Sequence, residues 1–160
     1  MNIKNVISLA CALAFSSVAF AENTVVATHG AEKGGMQRVA IDFQSSGDAS
    51  AFQYVIDLPK GASKINLANC VSGLPSTHVG ECRASEKNGK IAVVVYSISN
   101  TPLPRGIQEV GTISYHSNLI TKPGLSKMVV GSASGKGVSP VSKQVVSINE
   151  PSGRASESIK

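Results

Sequence analysis

Short apolar runs, rich in Val and Ile, alternate along the chain with Gly, Ser, Asn and Pro. This pattern predicts β-strands, because β-branched side chains favour an extended backbone and the interrupting residues favour turns. No helical repeat of apolar residues persists for several turns. The runs define about nine strands: Thr24–Ala27, Gln37–Phe43, Ala51–Leu58, Lys64–Leu67, Glu81–Ala84, Lys90–Ser97, Val110–His116, Lys127–Ser132 and Lys143–Ile148.

Alternation along the third run, Ala51–Leu58, predicts which of its side chains face the core. Successive side chains of a strand point to opposite sides of the sheet. The predicted core side consists of Phe52, Tyr54, Ile56 and Leu58, and the opposite side consists of Gln53, Val55 and Asp57.

Turn-forming residues separate the predicted strands. Asn88-Gly89 predicts a type I′ hairpin turn, because Asn and Gly both tolerate the positive φ that this turn requires. Pro59 and Gly61 are predicted to end the third strand, and residues 99–106 are predicted to form a surface connection. Short strands joined in this way favour an all-β fold, an antiparallel two-layer β-sandwich.

The first 21 residues have the pattern of a secretory signal peptide. Met1–Asn5 carries one Lys and no acidic residue, Val6–Phe20 is an apolar run, and Ala19-Phe20-Ala21 is a small-x-small cleavage pattern. Cleavage is therefore predicted after Ala21, which leaves residues 22–160 as the mature chain. The leader predicts an exported protein, either periplasmic or extracellular.

Two of the three cysteines, Cys70 and Cys82, remain after this cleavage. In an oxidising compartment such a pair favours a disulfide, which would stabilise the fold by about 3 kcal/mol by closing a short loop. A redox pair and a metal site are the alternatives, although the spacing is not Cys-x-x-Cys and His78 is the only further ligand nearby. Cys11 has an alternative interpretation as a lipid-anchored residue, but the apolar stretch before it is too short for that role.

The mature chain has the composition of one folded domain. Hydrophobic residues make up 42% of the sequence and charged residues 16%, which excludes wholesale disorder. After the leader no apolar run reaches the roughly 18 residues that a membrane span requires. We therefore predict one β-sandwich domain over residues 22–148 and a flexible C-terminal tail over residues 149–160, which has little to bury.

The histidines and one glycine-rich segment are the candidates for catalytic groups in this chain. His29, His78 and His116 are far apart and lie among Gly, Ser or Thr, so each is interpreted as an ordinary surface or loop residue. The segment Gly131–Gly137 resembles a phosphate loop superficially, but it lacks the Ser or Thr after the Lys and leads into no helix. Neither feature predicts an enzyme.

Charged residues give no clearer sign of a ligand. Asp42, Asp48 and Asp57 do not form the Asp-x-Asp cluster that binds calcium, and they are interpreted as turn caps. The formal net charge is +5, but Lys and Arg are scattered singly and aromatic residues make up only 4% of the chain. The sequence therefore predicts no cofactor, no metal site and no nucleic-acid partner.

Three segments, in this order, resemble the cohesin family. They are residues 51–61 (Ala-Phe-Gln-Tyr-Val-Ile-Asp-Leu-Pro-Lys-Gly), residues 89–106 with their central Val-Val-Val-Tyr-Ser, and residues 109–115 (Glu-Val-Gly-Thr-Ile-Ser-Tyr). The resemblance extends over residues 37–148. It implies a nine-stranded jelly-roll sandwich and a sheet face that docks a dockerin-like domain of a secreted or envelope protein. No contact motif matches, so no binding residues are assigned.

Two non-catalytic functions fit these observations. The favoured one is a non-catalytic module that docks a protein partner through a sheet face, and the alternative is a carbohydrate-binding module in polysaccharide binding or degradation. Flat polysaccharides are usually held by exposed aromatic rings, and Phe52 and Tyr54 are already assigned to the core. The mature chain offers only Phe43, Phe52, Tyr54, Tyr96 and Tyr115. A hydrolase is a third class, since carboxylate pairs assembled in space leave no sequence motif.

Overall fold

The computed structural model describes residues 22–119, 121–135, 138–140 and 142–147. The predicted signal peptide and the predicted C-terminal tail lie outside the described residues, and so do Ile148 and two residues of the glycine-rich segment. Side chains are described as far as Gly135, with the exception of Lys33.

Ten strands form in the described part of the chain. They are β1 (Thr24–Ala31), β2 (Met36–Ser45), β3 (Ala49–Asp57), β4 (Ser63–Asn69), β5 (His78–Ser85), β6 (Lys90–Ser97), β7 (Gly106–His116), β8 (Gly124–Ser132), β9 (Val138–Pro140) and β10 (Ser142–Ser147). One five-stranded sheet has the order β10-β1-β2-β7-β4, and the other has the order β5-β6-β3-β8-β9. The chain is a β-sandwich of jelly-roll type, as predicted.

Each of the predicted strands overlaps an observed one, and two features of the topology were not predicted. The three-residue strand β9 was missed because it is short and ends in a proline. The pairing of β1 with β10 is parallel, whereas every other pair in the described residues is antiparallel. Local patterning cannot reveal that pairing, because its two strands come from opposite ends of the domain.

The core fills the space between the two sheets. Phe43 of β2 stacks on Phe52 of β3 with ring centroids 4.2 Å apart, so one aromatic pair joins the sheets directly. Phe52, Tyr54 and Ile56 are all buried, which confirms the predicted core side of β3. Leu58 lies just beyond the strand and packs partly buried against this core. Burial of each such side chain contributes roughly 2 kcal/mol.

The hairpin between β5 and β6 is present, but its predicted turn type is wrong. Ser85 pairs with Lys90, so four residues connect the strands instead of two. Residues 86–88 form one turn of 3-10 helix, and Gly89 alone takes the left-handed conformation, with φ 59°. Because the type I′ turn needs positive φ at two adjacent residues, Asn88 does not fulfil the predicted role.

A disulfide joins the two sheets along one side of the sandwich. Cys70 directly follows β4, an edge strand of the first sheet, and Cys82 lies in β5, an edge strand of the second. The loop after Cys70 packs closely on both sheets. Gly80 leaves room for Val71. Gly73 likewise approaches the backbone of Glu109. The disulfide and its loop therefore cover the opening between β4 and β5.

The connection between β6 and β7 is only partly a surface loop. Leu103 is fully buried, and its N–H donates to the carbonyl oxygen of Ala49 over 2.7 Å. The Ser45 hydroxyl donates to the carbonyl oxygen of Leu103. The two prolines of this loop prevent strand pairing, but Leu103 still anchors the loop in the core.

Candidate functional site

The three histidines do not assemble into a catalytic group. His29 lies in β1 and His116 in β7 of one sheet, whereas His78 begins β5 of the other. The interpretation as surface or loop residues is wrong for His29 and His78, which are both buried. His29 bonds through Nε2 to Oε1 of Gln37 over 2.9 Å, which satisfies two polar groups inside the sandwich. Burial lowers the pKa of His78, so its neutral form is favoured.

The three aspartates considered as calcium ligands lie on different elements. The interpretation as a turn cap is wrong for Asp42, which lies within β2 opposite Glu109. Asp57 ends β3 in the other sheet, and Asp48 accepts a hydrogen bond from the Ser132 hydroxyl beside a turn. Partial burial, with a smaller contribution from the negative charge of Glu109, raises the pKa of Asp42. Among the described residues no three His, Cys, Asp or Glu side chains are close enough to hold a metal ion.

The outer face of the sheet β10-β1-β2-β7-β4 is mainly polar on its central strands, although Ile107 of β7 is 73% exposed. We define the polar face by the outward side chains of Arg38, Asp42, Glu109, Thr112 and Ser114 on its central strands β2 and β7. The Arg38 guanidinium donates a long hydrogen bond of 3.5 Å to the Thr112 hydroxyl across this pair of strands. Such a face is the ordinary solvated side of an antiparallel sheet.

The sheet β5-β6-β3-β8-β9 presents an apolar outer face around β6. We define the apolar face by the outward side chains of Ala51, Gln53, Val55, Ala92, Val94, Tyr96 and Val129. Val94 is 42% exposed and Tyr96 is 50% exposed, on a strand that lies inside the sheet. A shallow cleft of about 240 Å³ crosses this face between β6, β3 and β8.

The exposed apolar side chains of this face follow β6, and strand register shows what lies on either side of them. Val94 lies between Gln53 of β3 and Glu81 of β5, and Tyr96 lies between Ala51 and Val79. Ile98, which is 72% exposed, extends the apolar surface just beyond the end of β6.

The sequence contained a signal for this face that alternation alone does not resolve. The strand β6 reads Lys-Ile-Ala-Val-Val-Val-Tyr-Ser, so both of its sides are apolar. Ile91, Val93 and Val95 are buried in the core, and the intervening side chains are exposed. A strand with one solvated side normally alternates apolar and polar residues. Its departure from alternation is therefore the sequence feature that marks the surface.

Charged residues border the apolar face. On the edge strand β5 the Arg83 guanidinium pairs with the Glu81 carboxylate over 2.8 Å. At the end of β3 the Lys90 ammonium pairs with the Asp57 carboxylate. This hydrogen bond from Lys90 is the main cause that lowers the pKa of Asp57, and the positive charge of Lys127 acts in the same direction.

Aromatic side chains contribute little to the surface. Tyr96 is the exposed ring among the described residues, and the other aromatic residues of the mature chain, Phe43, Phe52, Tyr54 and Tyr115, are buried. Burial raises the pKa of Tyr115 to about 12. One ring does not form the platform of several rings by which flat polysaccharides are usually held.

The comparisons with known proteins rest on structure alone. No family model and no curated protein matches the sequence. A non-cellulosomal cohesin from Archaeoglobus fulgidus aligns with a TM-score of 0.57 at 12% identity, over 82% of this chain and 94% of that one. Type II cohesin A11 from Bacteroides cellulosolvens aligns with a TM-score of 0.52 at 10% identity, over 77% and 95%.

A third solved structure agrees with these two. The cohesin module of a family 33 glycoside hydrolase from Clostridium perfringens aligns with a TM-score of 0.52 at 11% identity, over 78% of this chain and 98% of that one. The chain has a cohesin-like fold. The predicted resemblance is thereby confirmed for the fold, and the near-complete coverage of the cohesins shows that one module accounts for the alignment. Within the described residues no helix is long and apolar enough to cross a membrane.

Proposed function

We propose that the mature chain is an exported, non-catalytic binding module that docks a protein partner through the apolar face. The observation that carries the proposal is the exposure of Val94 and Tyr96 on an inner strand of the sheet, together with Ile98 just beyond its end. An aromatic residue among small aliphatic side chains, surrounded by charged pairs, has the composition of a protein interface, with an apolar centre and a polar rim.

The chemistry of this face favours contact over catalysis. Its central side chains are those of Ala, Val, Gln and Tyr, which suit close packing and hydrogen bonding. General acid–base or nucleophilic chemistry instead needs a titratable group positioned beside a partner that activates it. A dockerin-like partner is supported by two of the structural neighbours, which belong to cohesin–dockerin complexes from Clostridium thermocellum and Acetivibrio cellulolyticus.

Export is supported by two independent features. The first 21 residues have the pattern of a signal peptide, and the structure pairs Cys70 with Cys82. Structural disulfides form and persist in oxidising compartments such as the periplasm or the extracellular medium. We place the docking partner in the same compartment, as a secreted or envelope protein.

The experiment compares capture by three forms of the oxidised mature chain, residues 22–160. The wild type is compared with the apolar-face variant Val94→Gln/Tyr96→Ala and with the polar-face control Thr112→Gln/Ser114→Ala. Each is incubated with envelope and culture-fluid extracts of the source organism, and captured proteins are identified by mass spectrometry and purified. Insoluble polysaccharides are tested in parallel with the same three proteins.

We expect a stoichiometric protein partner whose affinity falls about 100-fold for the apolar-face variant, because it removes two central contacts of roughly 1 to 2 kcal/mol each. The polar-face control should bind as the wild type does. Retention on polysaccharide without any protein partner would replace this proposal with carbohydrate binding. Equal binding by all three forms, or no captured protein, would contradict docking through the apolar face.

A further inference from the structure

Lys127 lies at a bulge beside the apolar face. In the pairing of β3 with β8, Gln53 faces Val129 and Val55 faces Ser126, so β8 contains one residue more than β3 between these pairs. At this bulge Lys127 has a φ of 51°, in the left-handed region that favours glycine. Bulges redirect side chains, and strained backbone conformations concentrate at functional positions.

The side chain of Lys127 is exposed, and its ammonium makes no direct contact with a carboxylate in the part of the chain that the structure describes. Lys90 and Arg83 are engaged by Asp57 and Glu81, whereas Lys127 forms no ion pair or hydrogen bond with any residue that the structure describes. Its charge reaches Asp57, the residue that also pairs with Lys90. Two cations therefore act on one carboxylate at this end of the apolar face, and the excess charge is positive.

Neighbouring turns add to this positive end. Lys60, in the turn after β3, and Lys87, in the turn between β5 and β6, line one shallow cleft at the same end of the sheet, with Glu86 as its one acidic side chain. The opposite end of the apolar face, around Tyr96 and Ile98, is apolar. One end of this face therefore offers apolar side chains for packing, and the other end carries an excess of positive charge.

We propose that Lys127 is a specificity-determining residue that binds an aspartate or glutamate carboxylate of the partner. The inference rests on the proposed function and adds the chemistry of the partner, a protein surface with an apolar patch and a carboxylate at its margin. A lysine ammonium whose nearby carboxylate, Asp57, is already paired with Lys90 complements such a margin and favours association with acidic partners. Without Lys4 of the predicted leader, the mature chain still has more basic than acidic residues, which acts in the same sense.

Lys64 provides a matched control for Lys127. It is also an exposed lysine with a left-handed φ, of 50°, but it lies in β4 of the other sheet. In both positions glycine relieves the backbone conformation and removes the charge. The variants are therefore Lys127→Gly, Lys127→Glu and Lys64→Gly, and the probe is the purified protein identified by the capture experiment.

We expect Lys127→Gly to raise the Tm by about 2 to 5 °C and to weaken binding about fivefold, because the strain and the contact are lost together. Lys127→Glu should weaken binding tenfold or more, since it places like charges together. Lys64→Gly should raise the Tm in the same way and bind as the wild type does. The affinity difference between wild type and Lys127→Gly should shrink as the salt concentration rises, because salt screens charge interactions. A difference caused by lost packing would stay the same.

The outcomes separate the two proposals. Loss of binding by Val94→Gln/Tyr96→Ala with unchanged binding by both Lys127 variants would overturn this inference and leave docking intact. An equal loss for Lys64→Gly would show a general charge effect and would also overturn it. Unchanged binding by the apolar-face variant would contradict the proposed function itself. Changing single Asp and Glu residues of the purified partner to Asn and Gln should locate one position whose effect disappears in Lys127→Gly.

Discussion

The outer faces of the two sheets differ far more than their inner faces do. Both inner faces are lined by buried apolar side chains, such as Phe43 on one sheet and Phe52 on the other. Outside, one sheet presents mainly polar side chains such as Arg38 and Glu109, with Ile107 as an exposed apolar residue, and the other presents Val94 and Tyr96. Folding explains why the inner faces are apolar, because burying their side chains between the two sheets stabilises the folded state. It does not account for an apolar outer face, which is the physical reason for assigning binding to that side.

The pKa values of two carboxyl groups, Asp42 and Asp57, also differ between the two outer faces. Asp42 lies on the polar face beside Glu109, and its pKa is raised by partial burial and by that negative neighbour. Asp57 lies at the positive end of the apolar face, and its pKa is lowered by the hydrogen bond from Lys90. The surroundings on the polar face therefore disfavour the ionised form of Asp42, whereas those at the margin of the apolar face favour the ionised form of Asp57.

Removing the disulfide should have the largest effect on stability. In Cys70→Ala/Cys82→Ala the free energy of unfolding should fall by about 3 kcal/mol, because the unfolded chain is no longer constrained by the closed loop. Docking at a temperature where the variant stays folded should be unchanged, since the disulfide joins the β4 and β5 edges and not the centre of the apolar face. Denaturant unfolding and titration with the captured partner measure the two effects. A folded variant that fails to bind would move the docking site toward those edges.

A pair of glycine substitutions tests the two sheets separately. In Gly111→Ala, on β7, the new Cβ would collide with the backbone oxygen of Asn69, so we expect a loss of about 2 kcal/mol. In Gly131→Ala, on β8, the new Cβ would lie 3.5 Å from the Ala51 side chain, an ordinary contact, so stability should change little. Chemical denaturation checks both values. Equal losses in the free energy of unfolding for the two variants would mean that Gly131 is packed as tightly as Gly111 is.

The smallest predicted effects are those of the two carboxyl groups, and they have opposite signs. Asp57→Asn should be less stable than the wild type at pH 7 by a few tenths of a kcal/mol. The difference should be lost as the pH falls below about 4, through the lowered pKa of Asp57. Asp42→Asn should be slightly more stable than the wild type at pH 7, because the raised pKa of Asp42 reflects a penalty on its ionised form.

The extra stability of Asp42→Asn should disappear as the pH falls through the raised pKa of Asp42 and below its ordinary value of 3.8. At such a pH Asp42 of the wild type is protonated in both the folded and the unfolded protein, so its ionised form no longer costs stability. Thermal unfolding followed between pH 3 and pH 7 distinguishes the two variants. Curves that shift in the same direction would contradict the electrostatic contrast between the faces.

Much of the fold was predictable because strand formation and face assignment are local properties. Alternation in β3 identified Phe52, Tyr54 and Ile56 as core residues, and their burial confirms it. The proposed docking surface was not predictable by the same argument, since the exposed Val94 and the buried Val93 are the same residue type on one strand. Which of them faces solvent depends on which side of β6 the second sheet covers.

The sequence by itself determined where extended segments begin and end to within a few residues, because β-branched runs and turn residues act over short distances. Only the tertiary structure decided the parallel pairing of β1 with β10, the four-residue turn before Gly89 and the burial of His29 against Gln37. Each of these depends on register or on a partner strand that is set by packing across the sandwich. The exposure of Tyr96 has the same origin, since a sandwich of two layers leaves each sheet one face that its own folding does not cover.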